Sequence, residues 1–184
     1  MPNFEPMFRK SRGQPIKYNG FQLVRYDKFP VENNEILICS IENATRKPNW
    51  LQGFCIEVMG YAELDGKILK KGKGVRLLFW DKISPKQFAI KIFTKTGFVW
   101  INNLTEIETS YLLSDQDGNP IERYSKTQSY NINGAAMIVE EIERGRRYRC
   151  SDTSSAEKPF PFNDIVFSVR KVDSMNLDKA IQNR

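Results

Sequence analysis

From residue 21 onward, short apolar runs alternate with turn residues. Stretches 21–26, 35–41 and 54–64 are rich in β-branched and aromatic side chains and are bounded by Pro, Asn and Gly, the composition of strands between turns. Asp65-Gly66 is a two-residue hairpin signal, because a type I′ turn needs positive φ at both centres. It predicts that 54–64 folds back into 67–69. Further strands are predicted over 75–80, 87–93, 97–102, 108–114, 121–124, 135–142, 147–150 and 164–172. Within 87–93, Phe88, Ile90 and Ile92 alternate with Gln87, Ala89, Lys91 and Phe93, giving one apolar and one mixed face. Asp115-Gln-Asp-Gly118-Asn-Pro120 predicts a second hairpin. Ala135–Glu143 also reads as a helix, but its run Ala-Ala-Met-Ile-Val suits a buried strand equally, and only 174–182 looks weakly helical. Many short strands with almost no helix imply an all-β fold, a two-sheet β-sandwich or jelly roll. No internal repeat is present, which argues against a propeller or solenoid. The layout is an N-terminal arm over 1–20, one β domain over 21–173, and a tail over 174–184 suited to a short helix.

Composition narrows the chemistry. The 184 residues contain no histidine, which removes Ser-His-Asp and Cys-His nucleophile activation and every histidine metal ligand. Cys39, Cys55 and Cys150 are odd in number and widely spaced; they fit reduced thiols in apolar strands rather than a disulfide scaffold or a paired zinc site. No segment approaches the roughly 20 apolar residues of a membrane helix. The opening Met1-Pro-Asn-Phe-Glu-Pro lacks the layout of a secretory signal. Cytoplasmic residence is therefore the default expectation, with release by a non-classical route as the alternative.

The net charge of +6 is unevenly spread. Residues 66–96 carry nine basic side chains against one acid, Asp81, a balance of +8, whereas 103–145 carry eight acids and three bases, a balance of −5. Such stretches meet either within one sheet or between two copies of the chain. Lysine-rich edges also resist sheet-to-sheet aggregation.

Four places carry candidate chemistry. In Phe98-Val-Trp100-Ile-Asn102-Asn103, an aromatic ring on a strand beside amide groups is the material of a sugar-binding surface, the ring stacking on the sugar and the amides bonding its hydroxyls. Trp50, in a loop-like setting, is the second aromatic candidate, while Trp80 reads as core or rim. Arg9, Lys10 and Arg12, with Arg146, Arg147 and Arg149 around Tyr148, are candidate polyanion contacts. Alternation along 146–150 sends Arg147 and Arg149 to one face and Arg146 and Tyr148 to the other, and nearby Glu140, Glu141 and Glu143 offer internal partners. Asp115-Gln-Asp117-Gly118-Asn119 starts like a calcium loop, but Lys126 stands where the loop needs Glu; it reads as a turn. Finally, Asp152, Asn163 and Asp164 form a partial oxygen-donor set for Ca2+, and Asn163-Asp164 equally closes a loop through backbone bonds.

The block Phe162-Asn163-Asp164-Ile-Val-Phe167 resembles the closing strand of certain calcium-associated bacterial secreted β-domains, which end on an Asp-Phe-Asn-Asp-x-Val-Phe pattern. The resemblance covers some 20 residues and implies a calcium site. The chain departs from it at Pro161, where an acid is expected, and at Glu157-Lys158, where an acidic run is expected.

The expectation is a non-catalytic, lectin-like carbohydrate-binding module acting through Trp100, Asn102 and Asn103 or through Trp50. The alternative is a self-assembling structural protein, a jelly-roll coat or filament subunit, whose basic arm contacts partner subunits or nucleic acid. No phosphate-binding loop or G-x-S-x-G motif is present. A hydrolase built from a carboxylate pair stays open, since such acids need not be close in sequence.

Overall fold

Strand pairing follows the alternation of apolar side chains. Every second residue of Gln87–Thr94 is buried, as a strand with one face on the core requires. The computed structural model describes residues 3–45, 49–130, 135–151 and 162–172. A short helix, α1 (Glu5–Lys10), is followed by β1 (Ile16–Tyr18), β2 (Phe21–Val24), β3 (Asp27–Pro30), β4 (Glu35–Ala44) and β5 (Trp50–Val58). Next come β6 (Gly60–Leu64), β7 (Lys67–Leu69), β8 (Val75–Trp80), β9 (Gln87–Thr94) and the long β10 (Phe98–Ser114). The remaining strands are β11 (Pro120–Tyr130), β12 (Ala136–Ile142), β13 (Gly145–Ser151) and β14 (Ile165–Val172).

These strands form a two-sheet, all-β sandwich. The larger sheet runs β1-β2-β12-β13-β14-β4-β9-β6-β7; the smaller runs β11-β10-β5-β8, with β3 also paired to β10. Between them lie Leu37, Phe54, Phe79, Phe88, Val99 and Phe167 among other buried residues. Phe54 stacks on Phe167 at 4.1 Å and Tyr148 on Phe167 at 4.7 Å, so three aromatic rings bridge the layers.

The Asp65-Gly66 hairpin forms as the sequence predicts. Both residues have positive φ, 50° and 73°, and Leu64 pairs with Lys67. The stretch 54–64, read as one strand, is two. At Gly60 (φ 149°) the chain leaves the smaller sheet for the larger, and a Cβ there would lie 2.0 Å from the Phe93 carbonyl oxygen. Conversely, 97–102 and 108–114 are one continuous strand, β10. Within the N-terminal arm, Phe4 and Phe8, around α1, bury against Leu23, Ala136, Ile138 and Phe162. Residues 174–184 lie outside the described part.

Candidate functional site

On β10 the even-numbered residues face away from the core and Val99 and Ile101 face into it. Register then builds a row across four strands: Lys28 opposite Trp100, Trp100 opposite Glu57, and Glu57 opposite Arg76. With strands about 4.8 Å apart, the row spans roughly 14 Å. Trp100 is 37% exposed and Tyr26, just before β3, is 46% exposed. The two aromatics, Glu57 and Arg76 line a depression of about 300 Å³. Arg76 pairs with Glu57 at 2.8 Å. Phe98 meets the Trp100 ring edge-on at 5.4 Å, and Lys28 Nζ sits 4.0 Å from the Phe98 centroid. The indole is thus braced from one side and open on the other.

The two asparagines expected beside Trp100 are not at this surface. Asn102 and Asn103 are buried. Asn103 Nδ2 donates to the Ser151 carbonyl at 2.8 Å, and Asn102 Nδ2 donates to the Asn103 carbonyl at 3.2 Å. The polar groups within reach are instead Glu57 and Arg76. The signal for them was a single charge inside each of two apolar strands, Phe-Cys-Ile-Glu57-Val and Val-Arg76-Leu-Leu. A strand buried on one face puts such a charge on the other. Tyr26 carried no comparable mark.

Trp50 belongs to a different place. It pairs with Ile107, seven residues along β10 from Trp100, a separation of about 23 Å. It is half-buried in a hollow of about 280 Å³ shared with Leu51, Lys82, Ile83 and Glu106, and Lys82 Nζ donates to its carbonyl at 2.8 Å. Trp80 is buried, its ring over Gly53. The smaller sheet's outer face therefore runs from the Trp100 depression, across Trp80, Cys55 and Leu104, to Leu51 and Glu106 at the second hollow. Trp50, opposite Ile107, alternates instead with the inward Phe54 and Ile56.

The basic candidates are spread and in part committed. Arg9, Lys10 and Arg12 are exposed, and Arg9 reaches Glu5 at 3.6 Å. On β13, Arg147 pairs with Glu42 at 2.8 Å, and Arg149 is half-buried on the same face. Arg146 donates to both Asp27 oxygens at 3.0 Å and to Glu141 at 2.7 Å. Burial pulls its pKa down, but the bond and charge of Asp27, then of Glu141, carry it above the ordinary value. Two of the three β13 arginines thus serve internal carboxylates.

Asp152 lies outside the described residues. Asn163 is exposed and Asp164 buried, and their carbonyls accept from the Thr45 hydroxyl and amide at 3.1 and 2.8 Å. A calcium ion needs six to eight oxygens. Among the described residues, no three metal-ligating side chains gather, and this loop is held by Thr45. Asp115 Oδ1 accepts from the amides of Asp117 and Asn119 at 2.9 and 2.8 Å, which makes 115–120 a hairpin turn. No described helix is long and apolar enough to cross a membrane.

Comparison with known proteins finds no matching family, no similar curated protein and no similar solved structure.

Proposed function

We propose that this protein is a non-catalytic β-sandwich module that binds carbohydrate at the Tyr26–Trp100 depression. The observation that carries the reading is the pairing of two exposed aromatic side chains with an Arg76–Glu57 ion pair on one open sheet face. The C–H face of a pyranose packs against an indole or phenol ring, while its hydroxyls need donors and acceptors at the ring's edge. Arg76 offers up to five N–H donors and Glu57 two acceptor oxygens. Their contact holds both groups in one geometry before a ligand arrives. The site's size is at the low end of small-molecule pockets, about 300 Å³, which suits one sugar unit of a chain. Its described lining holds one carboxylate, Glu57, whereas the usual glycosidase arrangement needs two.

The test is a glycan array probed with wild type and with Trp100→Ala. Wild type is expected to give signal that changes little with added salt, and Trp100→Ala to lose it with an unchanged melting curve. A blank wild-type array, or full signal from Trp100→Ala, would overturn the reading. Binding that falls steeply with salt would point to a polyanion instead.

A further inference from the structure

The β10–β11 hairpin runs past the body of the protein. β5 pairs with β10 only as far as Ile107, while β10 and β11 stay paired to Ser114 and Pro120. Glu108 still donates its amide to the Asn49 carbonyl at 2.8 Å, so residues 109–114 and 120–125 form a free two-stranded ribbon roughly 20 Å long. Such a ribbon is marginal on its own, yet this one exposes Tyr111 (47%), Leu112 (71%), Leu113 (51%) and Tyr124 (63%). β11 is also an edge: it pairs with β10 alone among the described strands. An edge of eleven residues offers its unpaired backbone groups as a template.

We propose that β11 pairs antiparallel with β11 of a second copy, about a two-fold axis through Tyr124. The charges select both partner and register. On β11, Glu122, Tyr124 and Lys126 share one face and Arg123 lies on the other, because side chains alternate. With Tyr124 opposite its own copy, Glu122 faces the second copy's Lys126, and Lys126 faces the second copy's Glu122. Moving the centre to Arg123 sets two arginines against each other, and moving it to Glu122 or Lys126 opposes like charges in the same way. Centring on Ser125 leaves Lys126 opposite Tyr124 and Glu122 opposite Gln128. Only the Tyr124 centre opposes unlike charges, and it does so twice. A lysine on an edge ordinarily deters pairing; here the two-fold gives it a carboxylate.

The neighbouring strands agree with this register. Within one copy, Leu112 lies opposite Glu122, Glu108 opposite Lys126, Leu113 opposite Ile121 and Ile107 opposite Thr127. Across the joined sheets, Lys126 of one copy then sits between its own Glu108 and the other copy's Glu122. On the opposite face, Leu113 and Ile121 run on through the second copy's Thr127 to its Ile107, extending the apolar row. Lys126's present contact, with Glu106 at 3.6 Å, is long, and the lysine itself is 60% exposed; Glu122 at present bonds the hydroxyl of its neighbour Tyr124. The axis stands perpendicular to the sheet, so both outer faces, each with its Trp100, point the same way. Ligands repeated on one surface would meet two sites at once. The pairing itself does not rest on the carbohydrate reading.

The test is sedimentation of the full chain over a concentration series, with Glu122→Lys and with the doubly swapped Glu122→Lys/Lys126→Glu. Wild type is expected to dimerise. Glu122→Lys is expected to weaken the dimer tenfold or more with an unchanged melting curve, and the double swap to restore it. A wild type that stays monomeric at every concentration overturns the proposal. So does a Glu122→Lys protein that dimerises like wild type. Loss in the single variant without rescue in the double overturns the Tyr124 register. A blank glycan array has no bearing on any of these outcomes.

Discussion

Asp27 ties one sheet to the other through a single carboxylate. It sits on β3 of the smaller sheet and accepts the Tyr148 hydroxyl at 2.7 Å and the Arg146 guanidinium at 3.0 Å, both from β13 of the larger. Burial first, then the Asp27 charge, pushes the Tyr148 phenol far above its ordinary value, so it stays a donor. Asp27→Asn removes the negative charge and half of the acceptor capacity while leaving both donors in place. Unmet partly buried donors cost about 1–3 kcal/mol, and the urea midpoint is expected to fall accordingly. An unchanged midpoint would mean the cluster contributes nothing net. This contact also shows why Arg146 reads from sequence as a polyanion contact. Its partner lies 119 residues away, and the nearer acids, Glu140, Glu141 and Glu143, reveal only part of its surroundings. Trp100 could be singled out because a tryptophan within a strand is visible locally. Which face of that strand points outward is decided by the packing of both sheets, which no local pattern carries. Its companions Glu57 and Arg76 reach it only through register, which no local pattern specifies.

At the scale of elements, alternation and turn chemistry exposed most strands, and the exceptions have local causes. β3 was missed because Asp27, Lys28 and Pro30 are poor strand residues. It is tolerated because it pairs with β10 alone among the described strands, and proline is allowed at an edge. β10 was cut at Asn102-Asn103 because asparagine usually ends strands. It continues because Asn103 turns inward and finds the Ser151 carbonyl. β5 carries the sharpest packing constraint on the outer face. A Cβ on Gly53 would lie 2.4 Å from the Phe79 carbonyl oxygen and 2.7 Å from Trp80 Cε3. The first neighbour is backbone and cannot swing aside. Gly53→Ala is therefore expected to destabilise the fold by about 1–3 kcal/mol, as overpacking does, and to shift the Trp80 fluorescence as its ring is lifted. A melting temperature at or above wild type would show that β5 and β8 separate freely there.

For the molecule as a whole, three thiols report on the integrity of the sandwich. Cys39 and Cys150 lie between the sheets and Cys55 under Trp80 on the outer face, all fully buried. Burial raises all three thiol pKa values, that of Cys55 to about 12 with Glu57 adding to the rise. In the unfolded chain a thiol ionises near 8.5. The folded values are the higher ones, so the protonated thiols contribute stability that is fully present below about pH 8.5 and is lost as pH climbs toward the folded values. Above the unfolded value each thiol lowers the unfolding free energy by about 1.4 kcal/mol per pH unit. The urea midpoint is expected to be level from pH 7 to about 8.5 and to fall steadily to pH 10, where lysine ionisation begins to intrude. Because the thiolate is the nucleophile, a thiol reagent at pH 8 is expected to label none of the three in the native protein and all three in urea. Labelling of one cysteine without denaturant would locate a breach in that part of the sandwich. A midpoint that held level to pH 10 would show that the buried thiols do not govern alkaline stability.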